Sequence, residues 1–284
     1  MPLFAIVTNS DVLCLNLQLR ETMKLQELIE EFQASGRYCF TVPEALKRAG
    51  STKPAFQRAL RRLELKQHIL GLRKGFYVII PVEYRKSGII GPQLFIDPLM
   101  KHLGLPYYVG LLSACDIYGA SHQKPMVFQV MTIRNERVIQ KKGLKIKFYK
   151  KNRLSTFGYH KQQTMAGEFN LSTPEQSILD LIAYPFDSSG LDNITTILSD
   201  LIAKLDEKKF IKTIKEDSTI PLAHLQRIGY LLDLVDKSSI TEELYKFIQK
   251  QHPQITPLRP DRNWRGAPHN NRWNVAVNAE VQPE

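Results

Sequence analysis

The sequence predicts an α+β protein of two parts, on three observations. Between Tyr38 and Pro81, two short helical patterns meet at Gly50-Ser51 and lead into two apolar runs around Lys74-Gly75. Between Met126 and Tyr149 the apolar residues fall in short strand-like runs. From Thr173 onward they recur at three- and four-residue spacing, the period of helices. The first segment has the order helix, tight turn, helix, hairpin, which is that of a winged helix-turn-helix, a DNA-reading element. The fold class is therefore an N-terminal winged helix-turn-helix followed by a larger domain with a mostly antiparallel sheet and a C-terminal helical cluster.

The N-terminal domain is expected over residues 21–81. Leu25, Leu28, Ile29 and Phe32 mark its first helix, ending near Gly36, and Tyr38 to Phe40 suits a short strand joining the hairpin. Thr41 and Glu44 have the spacing of a capping box for the second helix, where small Ala45, Leu46 and Ala49 permit a close crossing. Ser51 is the expected N-cap of the third helix, and Pro54 is tolerated in its first turn. Phe56, Ala59, Leu60 and Leu63 form its buried stripe. At roughly 100° per residue, Arg58 and Arg61 point nearly opposite, with Arg62 beside them and Lys53 and Gln57 near the N-terminal end. Arginine can fork onto guanine or phosphate, and Gln57 suits adenine or backbone. The candidate DNA contacts are thus Ser51, Thr52, Lys53, Gln57, Arg58, Arg61 and Arg62, with Arg73 and Lys74 on the hairpin near phosphates. The competing reading is a solvated basic helix face; the order of the elements favours the first.

Residues 82–93, with Lys86-Ser87-Gly88 and Gly91-Pro92, read as a linker, and 94–250 as the second domain. Phe95–Leu103 and Tyr107–Tyr118 read as helices. Met126–Ile133, Arg137–Gln140, Leu144–Tyr149 and Thr156–Tyr159 read as strands. In the third of these, Leu144, Ile146 and Phe148 alternate with Lys145, Lys147 and Tyr149, the pattern of a sheet with one face in water, so Lys145 and Lys147 are expected on one exposed side. Lys141, Lys142, Lys145, Lys147, Lys150, Lys151 and Arg153 make either a second polyanion surface or a solvated face. Thr173-Pro174-Glu175-Gln176 is a helix start with Thr as N-cap and Pro at the first position. Stripes through Ile194–Leu205, Phe210–Ile214 and Leu222–Leu232 follow, and Ser239 with Glu242 suggests a last capping box. Residues 251–284, rich in Pro, Asn and Arg, read as an irregular tail with room for one late strand through Trp273, Val275 and Val277.

The chain has 39 Lys plus Arg against 28 Asp plus Glu, a net charge of +11, which favours polyanions and nucleic acid first. No apolar stretch approaches the roughly 20 residues of a membrane-spanning helix, so no membrane partner is expected. Cys14, Cys39 and Cys115 form no C-x-x-C pair and fit a reducing cytoplasm. Residues 1–20 are apolar but lack a basic lead and an Ala-x-Ala site, unlike a signal peptide. They suit an extra strand, a disordered lead, or a segment ahead of a natural start at Met23.

Catalytic signatures are missing from the sequence. It contains no phosphate-binding glycine loop, no H-E-x-x-H and no G-x-S-x-G. Asp-x-Asp never occurs, and the lysines of Leu144–Lys147 have no acid beside them as a metal-dependent nuclease would need. Arg153 and His160 match a ribonuclease R-x(4–6)-H spacing only loosely and fall in a strand-like region. Asp116 and His122 read as helix-end and loop polar groups. No catalytic residue, metal ligand or cofactor is expected.

The chain resembles the AbiEi-type antitoxins of bacterial type IV toxin–antitoxin systems. The residues that carry the resemblance are the helix-turn-helix from Met23 to Pro81, Tyr107-Tyr108-Val109-Gly110-Leu111-Leu112-Ser113-Ala114 through Tyr118-Gly119-Ala120, Thr173-Pro174-Glu175-Gln176-Ser177-Ile178-Leu179-Asp180-Leu181-Ile182, and Gly229-Tyr230-Leu231-Leu232. The resemblance implies a two-domain cytoplasmic protein whose winged helix binds its own operator as duplex DNA and represses the operon. It implies a C-terminal domain that counteracts a nucleotidyltransferase-like toxin, with direct toxin binding not required. The alternative from another class is a nucleic-acid-processing enzyme targeted by a winged helix; the missing constellations favour the antitoxin.

Overall fold

The computed structural model describes residues 24–86, 90–121, 123–235 and 239–282. The expectations for residues 1–20, Met23, Ser87-Gly88, His122 and the cap at Ser239 lie outside what is described. The chain divides into two compact units. The first comprises residues up to Leu105 with Val138–Lys145 and Gln163–Phe169; the second comprises Pro106–Arg137, Ile146–Gln162 and the chain from Asn170 on.

In the first unit, helix α1 (24–34) buries Leu25, Leu28, Ile29 and Phe32, the face its spacing specifies. Strand β1 (Cys39–Thr41) leads into α2 (Val42–Ala49). Gly50, at φ +60°, ends α2 in the left-handed conformation that glycine adopts without penalty. Helix α3 (Lys53–Leu65) follows, then the hairpin β2 (Ile69–Arg73) and β3 (Phe76–Ile79), giving an antiparallel sheet of order β1-β3-β2. Phe56, Ala59, Leu60 and Leu63 of α3 are buried against α1, Phe40 and Ile79 in one core. The rings of Phe32, Phe40 and Tyr77 stack at 6.0 and 5.7 Å. Two cap expectations change. Thr52, not Ser51, is the N-cap of α3, and its side chain makes no capping hydrogen bond. Thr41 caps α2 without a side-chain bond, while Glu44 accepts two hydrogen bonds from Arg37 at 2.7 and 3.0 Å. Glu44 also bonds the Thr41 backbone, so the Glu half of the expected capping box forms and the Thr half does not. Helix α4 (Ile96–Leu103) completes the described helices of this unit.

The stretch Tyr107–Tyr118 is not one helix. It splits into strand β4 (Tyr107–Val109) and helix α5 (Leu111–Ile117) at Gly110. A side chain at Gly110 would lie 2.8 Å from Cγ of Met131, so the strand-to-helix corner needs the missing Cβ. Tyr107, Tyr108 and Val109 are all buried, and a short apolar run buried on both faces has no period to separate strand from helix. Strands β5 (Phe128–Thr132), β6 (Ile139–Lys141), β7 (Leu144–Lys150), β8 (Tyr159–Thr164) and β9 (Gly167–Ser172) join β4 in a sheet of order β6-β7-β5-β4-β9-β8. The sheet is mixed: beside antiparallel pairings such as that of β4 with β5, β4 is parallel to β9 and β5 is parallel to β7. Those parallel pairings join segments far apart in sequence, which no local pattern specifies. The strand expected at Thr156–Tyr159 begins only at Tyr159, and β9 escaped the reading because its Gly, Glu and Asn dilute the alternation.

Helices α6 (Pro174–Ala183), α7 (Gly190–Ile202), α8 (Glu207–Glu216), α9 (Leu222–Val235) and α10 (Ser239–Gln249) form the cluster read from the stripes. Thr173 caps α6, accepting a hydrogen bond from the Gln176 amide at 3.3 Å, as expected. Helix α9 contacts α6, α7 and α10 and buries Leu225, Ile228, Leu231 and Leu232. In the tail, β12 (Val275–Ala276) falls within the one late strand expected there, and the short strands β10 (Thr256–Pro257) and β11 (His269–Asn270), which were not expected, join it in a small sheet. Trp273 within this segment is fully buried. Its indole covers Gly229 so closely that a Cβ there would lie 2.3 Å from the ring, and its Nε1 donates to Asp233 at 2.6 Å.

Candidate nucleic-acid interface

The burial of Phe56, Ala59, Leu60 and Leu63 fixes the rotation of α3 and turns Lys53, Gln57, Arg58 and Arg61 to the exposed side. Arg62 and Ser51 are half-buried, and Thr52 is exposed. Charge compensation separates this face from the rest of the unit. Arg37 is paired with Glu44 and Arg48 with Glu31 at 2.8 Å, and both guanidiniums lie over the Phe32 ring at 4.4 and 4.7 Å. That hydrogen bond to Arg37, ahead of every other influence, holds the Glu44 carboxyl below its ordinary range. On α3, by contrast, the side chains of Lys53, Arg58 and Arg61 make no ion pair among the described residues. The carboxylate of Glu64, at the last turn, is turned to the hairpin and accepts the Gly71 amide at 3.1 Å.

The tip of the β2–β3 hairpin is Lys74-Gly75, with Gly75 at φ +77°. Its backbone is held from two directions: the Val42 amide donates to the Gly75 carbonyl at 2.9 Å, and Nε2 of His102 on α4 lies 3.0 Å from the Lys74 carbonyl. The His102 ring also tilts against Phe76 at 5.4 Å. The Lys74 side chain is exposed, while Arg73 is half-buried with Nη1 3.5 Å from the Leu72 carbonyl.

The second basic run is not uniform. Lys141 and Lys142, at the turn of the β6–β7 hairpin, are exposed, as are Lys145, Lys150 and Arg153. Lys147 does not share an open face with Lys145. Its ammonium is 2.5 Å from Asp187 and 4.8 Å from the centre of the Tyr149 ring, and Tyr149, on the same side of β7, is buried. The water-facing side of β7 is therefore covered toward its C-terminal end. Lys151 is also committed, 2.8 Å from Asp180. Arg153 lines a recess of about 220 Å³ with Thr156, Phe157, Glu216 and Asp217.

Around Asp180 lies a cluster that the site reading of the sequence missed. Its carboxylate, 1% exposed, accepts from Tyr108 Oη at 2.8 Å through Oδ2, and from Gln176 Nε2 at 2.9 Å and Lys151 Nζ at 2.8 Å through Oδ1. Burial first, then the Asp180 charge, pushes the Tyr108 phenol well above its ordinary range, so it is locked as a donor. With every partner engaged, the cluster is an anchor between β4, α6 and the loop after β7, not a reactive centre. The signal was present: Tyr108, Gln176 and Asp180 stand in the two longest motifs that carry the resemblance, and the fold brings those motifs together. Among the described residues there is no group of three His, Cys, Asp or Glu placed to hold a metal ion, and no helix is long and apolar enough to cross a membrane.

The crystal structure of the RV2827C protein from Mycobacterium tuberculosis matches with a TM-score of 0.64 at 15% identity, over 89% of this chain and 90% of that one; at such identity the likeness is one of fold. No curated protein sequence matches the chain. Residues 108–234 match the family described as the AbiEi antitoxin C-terminal domain. That span contains Tyr108, Lys151, Gln176 and Asp180, the whole anchoring cluster, and the chain thus carries the C-terminal domain of the AbiEi-type antitoxins.

Proposed function

We propose that this antitoxin binds the duplex DNA of its own operator through a winged helix-turn-helix formed by α2, α3 and the β2–β3 hairpin, and so represses its operon. The observation that carries the reading is the cationic face of α3: Lys53, Arg58 and Arg61 exposed, uncompensated and opposite the buried Phe56–Leu63 stripe. A protein that pairs Arg37 and Arg48 internally but leaves these side chains unpaired keeps their charge available to phosphates and base edges. The uncapped N-terminus of α3 leaves its first amides available to phosphate. Lys74 on the wing supplies a backbone contact, and exposed Lys141, Lys142 and Lys145 supply a second one. The domain over residues 108–234 counteracts a nucleotidyltransferase-like toxin in the cytoplasm, without catalytic residues of its own and without a requirement for direct toxin binding, as a type IV antitoxin.

The test is a gel shift on the DNA upstream of the gene. Arg58→Ala and Arg61→Ala are each expected to weaken specific binding by about 1–3 kcal/mol if the guanidinium reads a base, with unchanged melting. Wild-type affinity in the folded double variant rules out α3 as the reading helix.

A further inference from the structure

A cleft in the second unit carries an inference independent of DNA binding. It has a volume of about 330 Å³ and lies among the end of α6, the turn after it, the start of α7, α9 and the segment at Leu258–Asp261. Its walls are mainly apolar, through Ile182, Pro185, Leu191 and Leu258, and Phe186 stands at the rim with 73% of its surface exposed. Into this setting α9 delivers Arg227, only 9% exposed. Its Nε donates to the Pro257 carbonyl at 3.0 Å and its Nη2 to the Thr256 hydroxyl at 3.2 Å. Both acceptors are neutral, and Nη1 has no hydrogen bond among the described residues.

The other charges of the cleft cancel in pairs. Asp187 is held by Lys147, and Asp261 accepts two hydrogen bonds from Arg259 at 2.9 and 2.7 Å. His224 is neutral at ordinary pH, since burial and the Arg227 charge bring it down to about 4. Arg227 therefore remains as a buried guanidinium with no carboxylate to balance it, beside an open apolar space. A charge so placed is costly to desolvate unless an anion joins it, and guanidinium geometry matches a carboxylate or phosphate fork.

We propose that the cleft binds a small organic anion, a carboxylate or phosphate carried on a flat apolar body, with Arg227 taking the anion and Phe186 covering the body. A few convergent polar groups in an otherwise apolar pocket of this size are what such ligands require.

The experiment is calorimetric titration of the full chain with phenylpropionate and with adenosine monophosphate, beside their neutral counterparts phenylpropanol and adenosine. At least one anionic probe is expected to bind saturably and about tenfold or more tightly than its neutral counterpart; the one that does tells carboxylate from phosphate. Arg227→Met is expected to remove that preference, and Arg227→Lys to retain part of it. Because Arg227 also holds Pro257 and Thr256, the exposed Phe186→Ala serves as a variant that leaves the core intact, with an expected loss of about threefold or more for the bound probe. Absence of binding by both anions at millimolar concentration overturns the proposal. So does equal binding of anion and neutral counterpart, or wild-type affinity in Phe186→Ala together with folded Arg227→Met.

Discussion

The ammonium of Lys151 lies 2.8 Å from a carboxylate oxygen of Asp180, whose side chain is 1% exposed. Removing Lys151 leaves that buried carboxylate with hydrogen bonds from Tyr108 and Gln176 but with no opposing charge. Breaking a buried pair from one side costs about 3–5 kcal/mol, far beyond the effect of an exposed lysine. Lys151→Met is therefore expected to lower the denaturation midpoint sharply, while Lys145→Met leaves it within about 0.5 kcal/mol of wild type. Chemical denaturation of the two variants side by side checks this. Equal midpoints would mean that Asp180 is neutralised by some other route. Sequence alone assigned both residues to one basic run, because a run of lysines records charge but not which of them meets a buried acid.

At the scale of the element, β7 shows why a strand's alternation is legible only in part. Leu144, Ile146 and Phe148 are buried as the pattern requires, so the apolar side was read correctly. The polar side was not, since Tyr149 and Lys147 are covered by the turn Pro185–Ser188, which arrives from some forty residues downstream. The same holds across the fold. Helix α3, the β2–β3 hairpin and the cap of α6 were readable because period, turn residue and cap are all local. The split of Tyr107–Tyr118, the parallel pairings of the sheet and the burial of Trp273 on Gly229 were not, because each is decided by a distant segment. Of the basic residues singled out, the sequence placed Lys53, Arg58 and Arg61 of α3 on the exposed side as the structure has them, and in the second run Lys141, Lys142, Lys145, Lys150 and Arg153 are exposed. A charge reversal at Lys147 would set a carboxylate against Asp187, so Lys147→Glu is expected to destabilise the fold. Lys142→Glu with Lys145→Glu should leave melting unchanged and weaken DNA binding while lowering its salt slope by about one to two units. Melting curves and salt titrations of the two variants separate a structural lysine from lysines that act on DNA as proposed.

For the whole molecule, the clearest handle on stability is the acid side of neutrality. His224 on α9 sits beside Arg227 and is held neutral, its pKa lowered to about 4 by burial first and by the Arg227 charge second. In the unfolded chain a histidine titrates near 6.5. Above about pH 6.5 the imidazole is neutral in both states and contributes nothing to the pH dependence. Between there and about pH 4 the unfolded chain takes up a proton that the folded chain refuses, so unfolding is favoured progressively as pH falls. The integrated effect is about 2–3 kcal/mol. Below about pH 4 both states are protonated and the loss levels off. The Arg37–Glu44 pair also weakens in acid, but only as Glu44 protonates below its ordinary carboxylate range, and its exposure limits its share. His224→Gln isolates the histidine: wild type and variant should lose different amounts of stability between pH 7.5 and pH 4.5, the variant less by about 2 kcal/mol. Denaturant titrations at the two pH values measure that double difference, and parallel losses would show that His224 is protonated as readily in the folded protein as in the unfolded chain.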